Sequence, residues 1–261
     1  MAQDVPTDRA TPVNHGFGVD IGGSGVKGAV VDLDTGRLVG DRIKILTPQP
    51  STPEAVAKTV AQIVEQAGWT GPVGVTLPSV VTGGVARTAA NIDKSWIGTA
   101  AGSLFSRVLG GRDVSVLNDA DAAGIAEDRF GAAKDTDGVV ILLTFGTGIG
   151  SAVLHNGVLL PNTEFGHMEV DGKEAEHRAA SSVKERNDLS YKQWAKEVSR
   201  VLARFEDLLW PDLFIAGGGI SRKHEKWIPL LTNRTPVVPA ELRNAAGIVG
   251  AAYAAKTGVT P

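Results

Sequence analysis

The sequence predicts an α/β protein of two duplicated domains with a cleft between them, on three observations. First, Val19–Val31 and Leu143–Leu154 look like copies: allowing one gap, Asp20 falls on Thr144, Gly22 on Gly146, Gly25 on Gly148 and Ala29 on Ala152. Each reads as apolar run, Gly/Ser/Thr turn, apolar run, which is a β-hairpin. Second, each hairpin is followed by alternating helical and strand periods, the pattern of an α/β unit. Third, every Gly-rich or acidic turn falls at the carboxyl end of a predicted strand, where ligands of open α/β folds sit.

The elements follow in order. Met1–Asn14 is polar, contains Pro6 and Pro12, and is expected to be a disordered tail. Phe17–Ile21, Val26–Asp32 and Arg37–Ile45 form a strand meander, with Asp34-Thr35-Gly36 as one turn. Pro53 starts a helix to about Ala67, with Val56, Val60, Ile63 and Val64 on one face. Gly71-Pro72 breaks to the strand Val73–Leu77, a helix spans Ala100–Leu109, and the strand Val114–Leu117 follows. Asn118–Phe130 is helical, Val139–Phe145 and Ile149–Leu154 make the second hairpin, and 174–209 is helical and charged. Asp212–Ala216 is a strand running into Gly217-Gly218-Gly219, and Asn244–Ala255 is an Ala-rich helix. The expected division is a small α/β domain of residues 15–117 plus the C-terminal helix 245–258, and a larger α/β domain of residues 118–244. Trp194, Phe205 and Trp210 fit either a core or an interface, with the core favoured.

Bulk properties exclude several classes. The chain has 261 residues, 43% apolar and 21% charged, as in ordinary globular proteins. A net charge of −3 leaves no nucleic-acid footprint and warns against a broad basic channel. No long apolar stretch predicts a membrane span, and the N-terminal segment lacks a signal-peptide pattern, so a cytoplasmic location is expected. With no cysteine there is no disulfide and no thiolate metal site.

The chemistry-bearing residues sit in the turns. Glycines tolerate φ > 0, so successive N–H groups in a tip can converge on an anion, above all a phosphate. Each tip adds a hydroxyl, Ser24 or Thr147. The P-loop is excluded because the Gly172-Lys173 pair is followed by Glu174, and the dinucleotide fingerprint because the first glycines open a strand carrying Lys27. Asn118-Asp119-Ala120-Asp121 follows a buried strand. Helix capping accounts for one of these groups; a second carboxylate is placed to act as a general base, kept ionised by the helix N-terminus. Glu164 and His167 fit a metal site, a surface turn or recognition of a polyol, the last being favoured.

Taken together, Asp20–Ser24, Asn118-Asp119-Ala120, Thr144–Gly148, Glu164–His167 and Ala216–Ser221 occur in the order found in ROK-family sugar kinases. The resemblance runs from Phe17 to Lys256 and implies the actin-like, hexokinase-like fold. The absence of cysteine, the segment Asn91–Trp96 and the short length resemble the actinobacterial polyphosphate glucokinases and polyphosphate/ATP glucomannokinases within that family. The resemblance implies transfer of a phosphoryl group from inorganic polyphosphate, and ATP, to the 6-hydroxyl of glucose, and of mannose. Asp119 matches the catalytic base. Asn91, Asn118, Asp119, Glu164, His167 and Glu176 match hexose contacts. Gly22, Gly23 and Ser24, with Lys27, match the first phosphate loop; Thr144, Gly146, Thr147 and Gly148 match the second; Gly217, Gly218 and Gly219 match the adenosine side. Asp20 is similar to the aspartate near Mg²⁺, met through water.

Many members carry a zinc-binding cysteine cluster just after the Glu-x-Gly-His segment; its absence here implies no structural zinc and leaves 171–190 to be held by packing. The family also implies a homodimer. Lys27, Arg87, Lys94, Arg129 and Lys134 are candidate contacts for polyphosphate. The alternative is a strictly ATP-dependent kinase for another hexose, such as fructose or N-acetylmannosamine. A family repressor would need a DNA-binding segment before Phe17, and an actin-like ATPase has no use for Glu164 and His167.

Overall fold

The computed structural model describes residues 14–259. Of the expected tail, residues 1–13 lie outside the described residues; Asn14 is tied down, its carbonyl accepting from Leu33 N and its amide donating to Asp34.

The first half contains β1 (His15–Gly22), β2 (Gly25–Asp32), β3 (Arg37–Ile45), α1 (Pro53–Gln66), β4 (Val73–Leu77), the short β5 (Val81–Thr82) and β6 (Val85–Ala86), α2 (Ala101–Val108) and β7 (Val114–Asn118). The second holds α3 (Asp119–Phe130), β8 (Val139–Phe145), β9 (Ile149–His155), β10 (Val158–Leu160), β11 (Glu169–Val170), β12 (Lys173–Glu174), α4 (Ala175–Ala179), α5 (Ser181–Arg186), α6 (Tyr191–Leu209), β13 (Leu213–Gly217) and β14 (Val237–Pro239). Helix α7 (Ala246–Thr257) ends the described chain.

The duplication is explicit in topology. One five-stranded sheet has the order β3-β2-β1-β4-β7, the other β10-β9-β8-β13-β14. In both, a meander of three antiparallel strands continues through two parallel strands. The parallel strands are buried on both faces, which explains their unbroken apolar runs: β4 and β13 have no exposed residue.

Each sheet packs one face on its own helices. Phe17, Val19 and Ile21 meet the buried face of α1 (Val56, Val60, Ile63), a helix capped by the Thr52 side chain with Pro53 at its start. Ile141, Leu143 and Phe145 meet Trp194, Val198 and Phe205 of α6. On the opposite face of the first sheet lies α7, pressed between that sheet and α3. The approach is backbone to backbone: a Cβ at Gly74 would lie 1.8 Å from Ala251 O, and one at Gly250 1.8 Å from Ala122 O. The C-terminal helix thus packs on the first sheet and holds α3 of the second half against it.

The helical stretch 174–209 is three helices, α4 to α6, broken at Ala180 and at Asn187–Ser190, where Ser190 and Gln193 form a capping box that starts α6. Trp194 and Phe205 are core, whereas Trp210 is 71% exposed and lies under the Arg234 guanidinium at 4.2 Å. Among the described residues, no helix is long and apolar enough to cross a membrane.

Candidate active site

The strands aim their carboxyl ends at one open cleft of about 860 Å³ between the two sheets. Its lining brings together Asn91, Asn118, Asp119, Thr144, Gly146, Thr147, Gly148, Glu164, His167, Glu176 and Gly218, residues spread over more than a hundred positions of chain. Gly217, Gly218 and Gly219 line an adjoining cavity of about 100 Å³ together with Arg222, Arg243 and Asn244. The first hairpin tip lies at the other side: a Cβ on Gly23 would be 3.5 Å from Asn91 O.

Asp119 begins α3. The capping role falls to Asn118, whose Oδ1 accepts from Ala120 N at 2.8 Å and Asp121 N at 3.3 Å, while its Nδ2 donates to Ser79 O at 3.2 Å. Among the described residues, the Asp119 carboxylate then accepts from the amide beside it alone, Ala120 N at 2.9 Å. Its carboxyl is accessible from the cleft but surrounded by protein at the cleft floor. Desolvation there, then the charge of Asp20 and, more weakly, that of Glu164 push its pKa up to about 6, against the lowering effect of the Ala120 amide. Burial and the two neighbouring carboxylates thus outweigh the lowering effect of the amides at the helix start, and at neutral pH the carboxyl is still ionised. Glu164 is itself raised, by burial first and by Glu176, against the opposing pull of His167.

Asp20 is held from two sides. Thr76 Oγ1 donates to its Oδ1 at 3.0 Å and Lys27 Nζ lies 3.3 Å from its Oδ2. Lys27 is thus the counter-ion of Asp20, half-buried in the sheet.

The second tip is braced by Glu176 and Ser182. Glu176 Oε2 accepts from Ile149 N at 3.4 Å, and Ser182 Oγ donates to Thr147 O at 2.7 Å. Gly146 N–H turns inward to Gly148 O at 3.0 Å. None of Gly22, Gly23, Gly25, Gly146 or Gly148 has positive φ, so the tips do not use left-handed backbone, and close approach applies at Gly25 and Gly148. A Cβ on Gly148 would lie 2.3 Å from Glu176 Oε2, while one on Gly146 meets nothing within 4 Å.

His167 faces Glu174 at 3.5 Å and Glu176 at 4.0 Å. The ligand atoms of His167, Glu174 and Glu176 all lie within 4.8 Å of one another, a three-donor cluster without thiolates. The segment 171–190 is held by an ion pair and packing. Arg178 Nη1 is 2.7 Å from Glu197 Oε2, its Nη2 caps Val170 O at 3.0 Å, and Trp194 Nε1 donates to Ala179 O at 2.9 Å.

Asp121, the second acid of the Asn118–Asp121 motif, and three residues that motif reasoning passed over, Thr76, Ser79 and Asn162, complete the frame. Asp121 is fully buried; its Oδ2 accepts from Asn162 N at 2.7 Å and its Oδ1 has no hydrogen-bond partner among the described residues. Burial raises its pKa to about 7. Asn162, with φ of 58°, clamps Val81 through both its amide atoms, at 2.8 and 2.7 Å. That clamp ties the 78–91 loop of the first half, including Asn91, to the second half. Asn162, at left-handed φ, was the one readable signal, since Asn is enriched there.

Of the candidate cations, Arg87 and Lys94 line the cleft lip, bonded to Thr82 Oγ1 and Ala89 O. Arg129 and Lys134 instead line a separate cavity of about 870 Å³ by Asp34 and Tyr253, and are corrected to that position.

Comparison with known proteins agrees with this geometry. The ROK family model matches residues 16–179. The chain is 68% identical over 254 residues to a polyphosphate glucokinase of Mycobacterium tuberculosis, covering 97% of this chain and 96% of that one. It is 65% identical to that of Mycobacterium leprae, covering 98% of this chain and 79% of that one. Among solved structures, the inorganic polyphosphate/ATP-glucomannokinase of Arthrobacter sp. strain KM superposes with a TM-score of 0.87 at 47% identity, covering 94% and 99% of the two chains. A ROK-family glucokinase of Streptomyces griseus, solved with glucose and AMPPNP, gives 0.79 at 26% identity, covering 94% and 100%. The fold is the actin-like one of these kinases. With the family model spanning more than half of its length and relatives so similar over nearly all of it, the chain belongs to the ROK family.

Proposed function

We propose that this chain moves the terminal phosphoryl group of inorganic polyphosphate to the 6-hydroxyl of glucose, with Asp119 as general base. The observation that carries the proposal is Asp119 itself, a carboxyl on the cleft floor between Glu164 and Asp20, with a pKa of about 6. Such a group is ionised at neutral pH and basic enough to take a hydroxyl proton. The sugar oxygen attacks phosphorus and loses its proton to Asp119. The bond to the next phosphate breaks, and polyphosphate leaves one unit shorter. Little else falls to covalent chemistry in such a transfer; positioning dominates.

In this reading Asn91, Asn118, Glu164, His167 and Glu176 receive the hexose hydroxyls. Gly22, Gly23, Ser24, Lys27, Thr144, Gly146, Thr147 and Gly148 surround the donor phosphates, and Gly217–Gly219 the adenosine of ATP as second donor. The names of the relatives support the donor and the sugar: polyphosphate glucokinase for the mycobacterial proteins, polyphosphate/ATP-glucomannokinase for the Arthrobacter one, which extends the proposal to ATP and mannose. Asp20 and Asp119 fit Mg²⁺: they are hard oxygen donors whose mutual repulsion, visible in the raised Asp119, a divalent cation relieves. Both Asp20 oxygens already accept hydrogen bonds, which suits contact through water. When bound, Mg²⁺ neutralises phosphate charge. The resemblance carries two further expectations, a homodimer and a cytoplasmic location.

The test is Asp119→Asn. The variant is expected to stay folded and bind glucose while losing about 10²–10⁴ in turnover. Retention of more than about a tenth of wild-type turnover overturns the assignment. Initial rates with long-chain polyphosphate and with ATP test the donor; a polyphosphate rate at background overturns that part.

A further inference from the structure

A long polyanion needs positive charge beyond the reacting phosphate, and the chain as a whole carries −3. The charge must therefore be local. Resting on polyphosphate as donor, the structure offers a row for it that runs from the edge of the first sheet to the small cavity beside Gly217–Gly219.

The row starts at Lys27, 3.3 Å from Asp20. Its cross-strand partner on β3 is Lys44. The Lys44 stem lies over the first tip: a Cβ on Gly25 would meet its Cε at 2.8 Å. Two residues back along β3, Arg42 Nη1 donates to Asn244 O at 3.4 Å. Asn244 and its neighbour Arg243 line the small cavity beside Gly217–Gly219, and Arg222 lines it too. Lys44, Arg42, Arg243 and Arg222 are all exposed. None of the four lies within 4.0 Å of a carboxylate oxygen among the described residues, in contrast to Arg178 and Arg200, both paired with Glu197.

We propose that Lys44, Arg42, Arg243 and Arg222 form the track on which the distal part of the polyphosphate chain lies. Exposed cations with no acidic partner, set in a row, raise the local concentration of a polyanion and release its counter-ions on contact. The track leaves the cleft by the edge strand of the first hairpin. Arg87 and Lys94 stay with the sugar-side lip, and Arg129 and Lys134 serve another cavity.

The test uses the full-length protein carrying Arg42→Ala, Lys44→Ala and both. Each site is exposed and outside the sugar and base groups, so melting temperature and glucose KM stay at wild-type values. The double variant is expected to raise the KM for long-chain polyphosphate about tenfold and to flatten its log–log salt dependence by about one per charge removed. In Arg42→Ala alone the apparent affinity for tripolyphosphate, read as substrate or as inhibitor, stays within about twofold, since a short chain seated at the first tip does not extend past Lys44. An equal loss with tripolyphosphate, or an unchanged long-chain KM and salt slope, overturns the track. A wild-type protein that uses no polyphosphate overturns the donor reading instead, so the two failures are distinct.

Discussion

The first hairpin turns in two residues, because Gly22 pairs with Gly25; the second takes three, because Phe145 pairs with Ile149. The motif alignment, which sets Gly22 on Gly146 and Gly25 on Gly148, makes the second copy one residue shorter there, whereas the strand pairing makes its tip one residue longer, so the two registers differ. Their surroundings diverge further. The first tip stands beside Asp20, Lys27 and Lys44 and is steadied by Thr47 donating to Gly22 O. The second carries no charge of its own and leans on Glu176 and Ser182. Duplication therefore supplied one backbone shape twice, and neighbours from elsewhere in the chain gave each copy its own electrostatics. The first tip is a charged end; the second is a neutral tip coupled to Glu176.

Breaking that coupling gives the largest expected effect of the tip changes. Gly148→Ala puts a Cβ 2.3 Å from Glu176 Oε2, the end of a flexible side chain, so the Glu176 carboxylate is displaced at little cost in stability. Displacing Glu176 should raise the glucose KM about tenfold or more, given that misplacement by about 1 Å can cost up to about 10²-fold. Gly146→Ala, with open space around it, should leave glucose KM and melting temperature unchanged. Steady-state kinetics on the pair checks the contrast; equal glucose KM values would break it.

The next effect sharpens the charged end. With Asp119 at about 6, the rate should rise as pH climbs through about 6 and level off above, since the base acts deprotonated. Lys27→Met removes the cation from Asp20, whose negative charge then acts on Asp119 without compensation. The acidic limb should move up by roughly one unit. Thr147→Val, at the neutral tip, should leave the limb in place. A kcat/KM profile against pH for both variants decides.

The smallest effect concerns the residue that ties the halves together. Asp121 is raised to about 7 from an ordinary 3.8. Between those values the folded protein holds a proton that the unfolded chain has lost, so this group makes stability fall as pH rises across that window. Asp121→Asn keeps an oxygen for Asn162 N–H and does not ionise. Its melting temperature should fall less than that of wild type between pH 4 and 7, which thermal melts across that range would show.

Much of this was legible in the chain. The hairpins, the boundary at Asn118 and the apolar face of α1 follow from local periodicity and turn chemistry, and the glycines at 22, 146 and 217 mark strand ends wherever the strands go. The break inside 174–209 was harder: Ala180 and Leu189-Ser190 are weak stops, and charge on both sides masks the change of helix. Trp210 reads as core by its type, yet falls after the end of α6, where no second layer covers it. Thr76 was invisible because its partner, Asp20, is 56 positions away, and Asn162 read as a turn residue but not as the clamp on Val81, 81 positions away.

The sequence by itself determined the two α/β halves, the twin hairpins and the family, because each rests on short-range pattern: period, turn residues and motif order. Only the tertiary structure decided which residues act on one another. The pKa of Asp119 depends on burial and on Asp20, ninety-nine positions away by sequence number; the row from Lys27 to Arg222 crosses both halves. Coulomb interactions and desolvation depend on distance in space and on the surrounding medium. No local pattern in the chain encodes either.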